Sequence, residues 1–290
     1  MPELPEVETT RRGVAPLVDG RYLLDWNLRN PNLRWPVQLP DELRGSRIAR
    51  VRRRAKYLIF ELEPSALGAA GSLIIHLGMS GNLRVLPQGS PYLPHDHVEL
   101  ALASEGEGAA TRVLRLNDPR RFGSLHWQPG EAEAHWLLAG LGPEPLSEAF
   151  SGEYLKRAAR GRRVAVKNFV MDGRVVVGVG NIYANEALFL AGLRPTARAG
   201  RVTRLGYDRL VAAIKQVLTE AIDMGGTTLR DFVNQDGNPG YFKQSLNVYG
   251  RLGLPCRRCA TPLKGTRTGQ RATVFCPNCQ GAQSFSGRNR

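Results

Sequence analysis

All four cysteines of this 290-residue chain fall within one short stretch near its end. They read Cys256-Arg-Arg-Cys259 and Cys276-Pro-Asn-Cys279, with residues 260–275 between the pairs. No other stretch constrains the fold as tightly. Four thiolates on two knuckles can close a tetrahedral site around one Zn2+, and the metal then replaces a core that so short a segment cannot build. Clustering at one end speaks against a disulfide framework spread through the fold. Two redox CxxC pairs would need a βαβ context that is missing here. Four sulfurs leave no open coordination position, so the Zn2+ is expected to be structural. The intervening LKGTRTGQRATVF reads as a hairpin carrying Lys264, Arg267 and Arg271, a suitable finger for phosphates.

The charge balance points the same way. Forty Lys+Arg against 26 Asp+Glu give a formal +14 and a pI near 10.2. An excess of this size suits a polyanion, because cationic side chains release condensed counterions when they neutralise phosphates. The hydrophobic fraction of 42% is ordinary, and no apolar run approaches the roughly 18 residues of a membrane span. The opening residues lack a positive region followed by an apolar stretch, so a cytoplasmic protein is expected, with no membrane partner.

The chain changes character along its length. ELPEVETTRRGVAPLV reads as a first helix, with Pro5 in its first turn and Gly20 beyond its end. From about residue 21 to 127 come strands, as YLLDWNL, RIARVRRR, YLIFELE, SLIIHLG, NLRVL, HVELALA, RVLRL and SLHW. Short strands at this spacing suggest an antiparallel sandwich or barrel-like sheet. EAEAHWLLAGL looks helical, and GPEPLSEAF reads as a hinge. Helical patterns follow around 152–160, 181–192, 205–224 and 227–234, and GAQSFSGRNR looks like a disordered basic tail.

The first residues carry their own chemistry. Initiator Met is commonly removed before a small residue, which would leave Pro2 as a free secondary amine. Such an amine attacks an electrophilic carbon and forms an iminium, a good electron sink. Its pKa is already near 8, and a helix N-terminus lowers it further. A carboxylate on Glu3 could move protons beside it. Equally, Pro2 could be a helix-start residue and Glu3 and Glu6 mere complements of the dipole. The residues alone leave both readings open.

MPELPEVETTRRG closely resembles the start of the formamidopyrimidine-DNA glycosylases. The likeness continues through RRRAKYLIFEL, HLGMSGNLRVL, HDHVEL, NDPRRFG, LGPEPL, VVVGVGNIYANEALFLAGLRP, GGTTLRDF, GNPGYF and QRATVFCPNCQ. The related endonuclease VIII enzymes usually have Gly where this chain has Leu4, so LPEVE favours the purine-directed branch. The resemblance implies an α+β fold: an N-terminal β-sandwich with flanking helices, a helix–two-turn–helix domain and a C-terminal zinc-finger β-hairpin. The corresponding ranges are 1–138 for the catalytic domain, 139–150 for the hinge, 151–244 for the DNA-binding helices, 245–281 for the finger and 282–290 for the tail.

The resemblance also implies roles. Pro2 would be the nucleophile and Glu3 the acid that protonates the opening sugar. Lys56 would serve β-elimination, and Arg271 δ-elimination or phosphate contact. His95, Arg120, Arg162 and Asn181 would contact DNA, while Met79, Arg120 and Phe122 would fill the gap left by an everted base. Cys256, Cys259, Cys276 and Cys279 would hold one Zn2+. GGTTLRDFVNQDGNPGYF matches the region that closes over that base. The implied activity is removal of 8-oxoguanine and formamidopyrimidines from double-stranded DNA, followed by β,δ-elimination, by a monomer without an obligate protein partner, associated with the nucleoid. The alternatives are an endonuclease VIII-like glycosylase for oxidised pyrimidines and a non-catalytic DNA-binding zinc-finger protein. Two departures from the family pattern, Gly173-Arg174 and Asn168 after Lys167, bear on local turn geometry.

Overall fold

The computed structural model describes residues 2–226 and 245–281. Its contacts divide the chain into two compact units, one built on residues up to 140 and the other on 141–223 with 245–281.

The first unit begins with helix α1 (Leu4–Val18). Leu4, Val7, Val14 and Val18 are buried along one face, the spacing expected of an amphipathic helix. Eight strands follow: β1 (Tyr22–Leu28), β2 (Ser46–Arg54), β3 (Tyr57–Leu62), β4 (Gly71–His76), β5 (Asn82–Pro87), β6 (Asp96–Ala103), β7 (Arg112–Asn117) and β8 (Ser124–Pro129). All eight lie where the alternation of the sequence places them. They are ordered β5-β7-β6-β1-β2-β3-β4-β8, antiparallel throughout. Strands β1 and β2 share only the pairs Tyr22↔Arg47 and Leu23↔Ser46, so the sheet turns there into two four-stranded layers.

The core between those layers draws on every strand. Leu83, Leu114, Leu100 and Leu23 come from one layer, and Ile48, Phe60, Ile75 and Leu125 from the other. Val7, Val14 and Val18 of α1 join the same cluster. Burying each of these side chains contributes about 1.5–3 kcal/mol before conformational entropy is subtracted. EAEAHWLLAGL does not form an α-helix. Only Ala132–Ala134 makes a 3₁₀ turn, which packs on β4 and β8.

The second unit holds α2 (Gly152–Ala158), α3 (Val166–Met171), α4 (Asn181–Leu190) and α5 (Arg204–Asp223). Ser151 caps α2, its hydroxyl accepting from the Tyr154 N–H at 3.2 Å, worth about 1 kcal/mol. Tyr207, Leu210, Ile214, Val217, Leu218 and Ala221 form the buried face of α5. Helix α4 is buried along nearly its whole length, from Ile182 to Phe189. The strands β9 (Lys264–Thr268) and β10 (Arg271–Phe275) form the expected hairpin between the cysteine pairs. Helix α3 went unanticipated, because six residues are too few to display a period. The departures are accommodated: Gly142 N–H donates to Gly173 O at 2.8 Å, and Arg174 N–H to Asp172 Oδ1 at 3.0 Å. The helical pattern at 227–234, residues 227–242 of the base-closing motif and the tail 282–290 lie outside the described residues.

Candidate functional site

Pro2 and Glu3 are buried at the N-terminal end of α1. Glu3 is the N-cap, and a reciprocal capping box joins it to Glu6. The Glu3 N–H donates to Glu6 Oε2 at 2.8 Å. Satisfying those N–H groups fixes the first turn, and with it the position of the residue before the cap. Acidic side chains here also face the positive end of the helix dipole.

Lys56 sits in the two-residue turn between β2 and β3, next to Ala55, whose φ of 55° is left-handed. The Arg53 guanidinium braces that turn by donating to Ala55 O at 2.9 Å. One residue that sequence reasoning passed over lies close by. His76, at the end of β4, stacks on Tyr57 with ring centroids 4.9 Å apart. Burial, with the nearby Lys56 and Arg34 charges, pushes its pKa down to about 4. The imidazole is therefore neutral at pH 7, and its Nδ1 accepts the Gly78 N–H at 2.9 Å. That bond orients the loop bearing Met79.

The structure gathers Met79, His95, Arg120 and Phe122 around Asp118. Ser80, next to Met79, donates its hydroxyl to Asp118 Oδ1 at 2.8 Å. The Gly123 N–H donates to Asp118 Oδ2 at 2.7 Å. Asp118 N–H donates to His95 O at 3.0 Å. His95, Arg120 and Phe122 are exposed, and the Arg120 guanidinium lies 5.1 Å from the Phe122 ring centroid. His95 itself adopts φ 69°, beside an irregularity in the β6–β7 register at Asp96/Val98. Its loop is anchored by buried Arg115, which donates to Pro91 O at 2.7 Å and Ser90 O at 2.6 Å.

Asn181, Arg162 and Arg271 belong to the second unit. Asn181 opens α4 after the N-cap Gly180, where helix N–H groups lack intrahelical acceptors and suit an anion. Its Oδ1 is buried without a hydrogen-bond partner. Arg162 is exposed, its backbone N–H donating to Ala159 O at 3.0 Å. Arg271 is exposed at the start of β10, directly after the turn Gly269-Gln270, whose φ values are 55° and 59°. Lys264 and Arg267 are exposed on β9.

The hairpin and the segment 247–249 before the first cysteine pair are held by buried polar groups. Fully buried Lys167 donates to Ala272 O at 2.8 Å and Thr273 Oγ1 at 2.7 Å. Asn185 Oδ1 accepts the Val274 N–H at 3.0 Å. The buried Glu186 carboxylate accepts backbone N–H groups from Asn247, Val248 and Tyr249 at 2.7–2.9 Å. A lysine inside the apolar run VAVKNFV was the available signal for the first of these.

The four cysteine sulfurs lie within 4.8 Å of one another. Separations of 3.4, 3.5 and 3.9 Å link Cys279 to Cys259, Cys259 to Cys276 and Cys256 to Cys279. A tetrahedron with Zn–S bonds of about 2.3 Å has edges of about 3.8 Å, so the set fits zinc. Backbone N–H groups of Arg258 and Cys279 point at the Cys256 and Cys276 sulfurs, at 3.4 and 3.3 Å, which favours thiolates.

Comparison with known proteins finds relatives over nearly the whole chain. Residues 1–125 match the family described as Formamidopyrimidine-DNA glycosylase N-terminal domain, and 141–233 its H2TH domain. Residues 253–281 match the zinc finger found in FPG and IleRS. The chain is similar to the formamidopyrimidine-DNA glycosylase of Alkalilimnicola ehrlichii, 56% identical over 288 residues, covering 97% of this chain and 100% of the relative. Among solved structures it is similar to the MutM (Fpg) protein from Thermus thermophilus, with a TM-score of 0.83, 42% identity, and coverage of 97% and 99%. It is also similar to MutM in complex with DNA containing carbocyclic 8-oxo-G, with a TM-score of 0.84, 31% identity, and coverage of 97% and 100%.

Proposed function

This chain belongs to the formamidopyrimidine-DNA glycosylase family, and from that premise we propose that Pro2 is its nucleophile, served by Glu3, Lys56 and Arg271. The protein is a DNA glycosylase and abasic-site lyase of base-excision repair, acting on oxidised purines in duplex DNA. Its four cysteines hold one structural Zn2+.

The observation that supports the assignment is the capped start of α1, which fixes Pro2 directly before the N-cap Glu3 at the positive end of a helix. The dipole there disfavours an ammonium, so the freed amine keeps its lone pair. Attack on the anomeric carbon breaks the bond to the damaged base, and Glu3 gives a proton to the sugar oxygen as the ring opens. The resulting iminium draws electrons from the adjacent carbon, whose proton leaves as the 3′-phosphate departs; a second elimination releases the 5′-phosphate. Lys56 serves the first elimination. Arg271 presents a planar fork of N–H donors, which suits it to clamping a phosphate.

His95, Arg120, Arg162 and Asn181 contact DNA. Met79, Arg120 and Phe122 enter the stack when the lesion leaves it, a step that costs a few kcal/mol of unstacking. Residues 1–138 act as the catalytic domain, 139–150 as a linker, 151–244 as the DNA-binding helices and 245–281 as the finger. The chain works as a monomer on nucleoid DNA in the cytoplasm. Among the described residues no helix is long and apolar enough to cross a membrane.

Borohydride trapping on a duplex with 8-oxoguanine opposite cytosine tests the nucleophile, because it reduces the iminium to a stable amine. Peptide mapping of the trapped protein should find the sugar on Pro2. An adduct on Lys56 would overturn the assignment, and so would tight binding without any adduct.

A further inference from the structure

One buried carboxylate joins the two segments that carry the intercalating side chains. Asp118 follows β7 and is fully buried. Its Oδ1 accepts the Ser80 hydroxyl at 2.8 Å from the segment 77–81, which bears Met79. The same oxygen accepts the Arg120 N–H at 3.3 Å, and Oδ2 the Gly123 N–H at 2.7 Å, both from the segment bearing Arg120 and Phe122. Ser80 Oγ also accepts the Arg120 N–H at 3.3 Å, closing a small ring of bonds. The backbones touch as well: a Cβ on Gly78 would lie 2.4 Å from Gly123 N and 2.5 Å from Phe122 C. Among the described residues Asp118 makes no ion pair; its carboxylate is spent entirely on these donors.

We infer that Asp118, with Ser80, is a positioning residue for base eversion: it holds Met79, Arg120 and Phe122 as one rigid wedge. The inference rests on the reading of those three side chains as the intercalating set. A buried carboxylate without a cation is costly unless hydrogen bonds satisfy it, and here every bond is made to a wedge segment. Side chains that must enter a base stack together lose less freedom if they are already ordered. The carboxylate therefore acts on eversion of the lesion, a step before the chemistry at Pro2. Its backbone bond to His95 is independent of the side chain and survives substitution.

Asp118→Asn puts an N–H where one of the three donors points. Ser80→Ala, the milder change, removes only the bridge between segments and guards against a variant that fails to fold. Single-turnover excision from an 8-oxoguanine:cytosine duplex should slow about tenfold or more in both variants, equivalent to about 1.4 kcal/mol of transition-state stabilisation. Strand cleavage at a pre-formed abasic site should change by less than about threefold, since no base has to be extracted. The fluorescence of 2-aminopurine beside the lesion should rise more slowly by the same factor as excision. Met79→Ala and Phe122→Ala provide the reference. If these leave the ratio of the two rates unchanged, the intercalation reading fails. If they change it while Asp118→Asn and Ser80→Ala do not, the positioning inference fails and the reading stands. Equal slowing of both reactions would overturn it too, as the mark of a purely structural role.

Discussion

His76 shows how one side chain ties stability to the site. Its pKa stands near 4 in the folded chain, against about 6.5 when unfolded. Above pH 6.5 both states are neutral and the contribution to stability is complete. As pH falls from about 6.5 towards 4 the unfolded chain takes the proton first, and up to roughly 3 kcal/mol of stability is lost across that window. His76→Gln should flatten this part of the stability profile relative to the parent, as read by denaturant melts at pH 7, 6, 5 and 4. His126, also pushed down to about 4 by burial and the neighbouring His135, is present in both proteins and cancels in the difference. Neither shift was legible in the sequence, because both follow from neighbours that only folding supplies.

At the scale of elements, the eight strands and the helices α1, α2, α4 and α5 were legible from period and turn residues. Helix α3 and the segment EAEAHWLLAGL were not. EAEAHWLLAGL has a helical spread of apolar residues, yet His135 and Trp136 instead pack tilted or edge-on against His126 and Trp35, at centroid distances of 4.9–6.3 Å within the cluster. Tertiary contacts outweighed a weak local preference. The segments 77–81 and 118–123 show the opposite case, a local requirement visible only in three dimensions. Gly78 has φ 64° and lies against the Phe122–Gly123 backbone, so Gly78→Ala is strained twice. It should cost about 1–3 kcal/mol of stability and lower excision more than it lowers cleavage at an abasic site. A thermal melt and the two single-turnover rates would check this.

For the whole molecule, the excess of cations sets how binding depends on salt. Each neutralised phosphate contributes a slope of about −0.9 in log K against log salt. Arg162→Ala should reduce the slope by about 1 and weaken binding to damaged and undamaged duplexes alike, as measured by titrations between 50 and 200 mM salt. An unchanged slope would remove Arg162 from the interface. Zinc belongs to this scale as well. The finger has a small core of Phe189, Val248, Leu263, Val274 and two cysteines, so its stability draws on metal binding.

The sequence by itself determined the order of helix, strands, helices and cysteine module. It did so because period, turn chemistry and ligand spacing are local quantities, and the motif set identified the family. Tertiary structure alone decided what holds the site residues in place. Asp118 beside Ser80 and Gly123, Lys167 beneath Ala272, and Glu186 under the Asn247–Tyr249 backbone unite residues distant in the chain. A buried polar group must find its partner wherever the fold brings one, and no local pattern records where that will be.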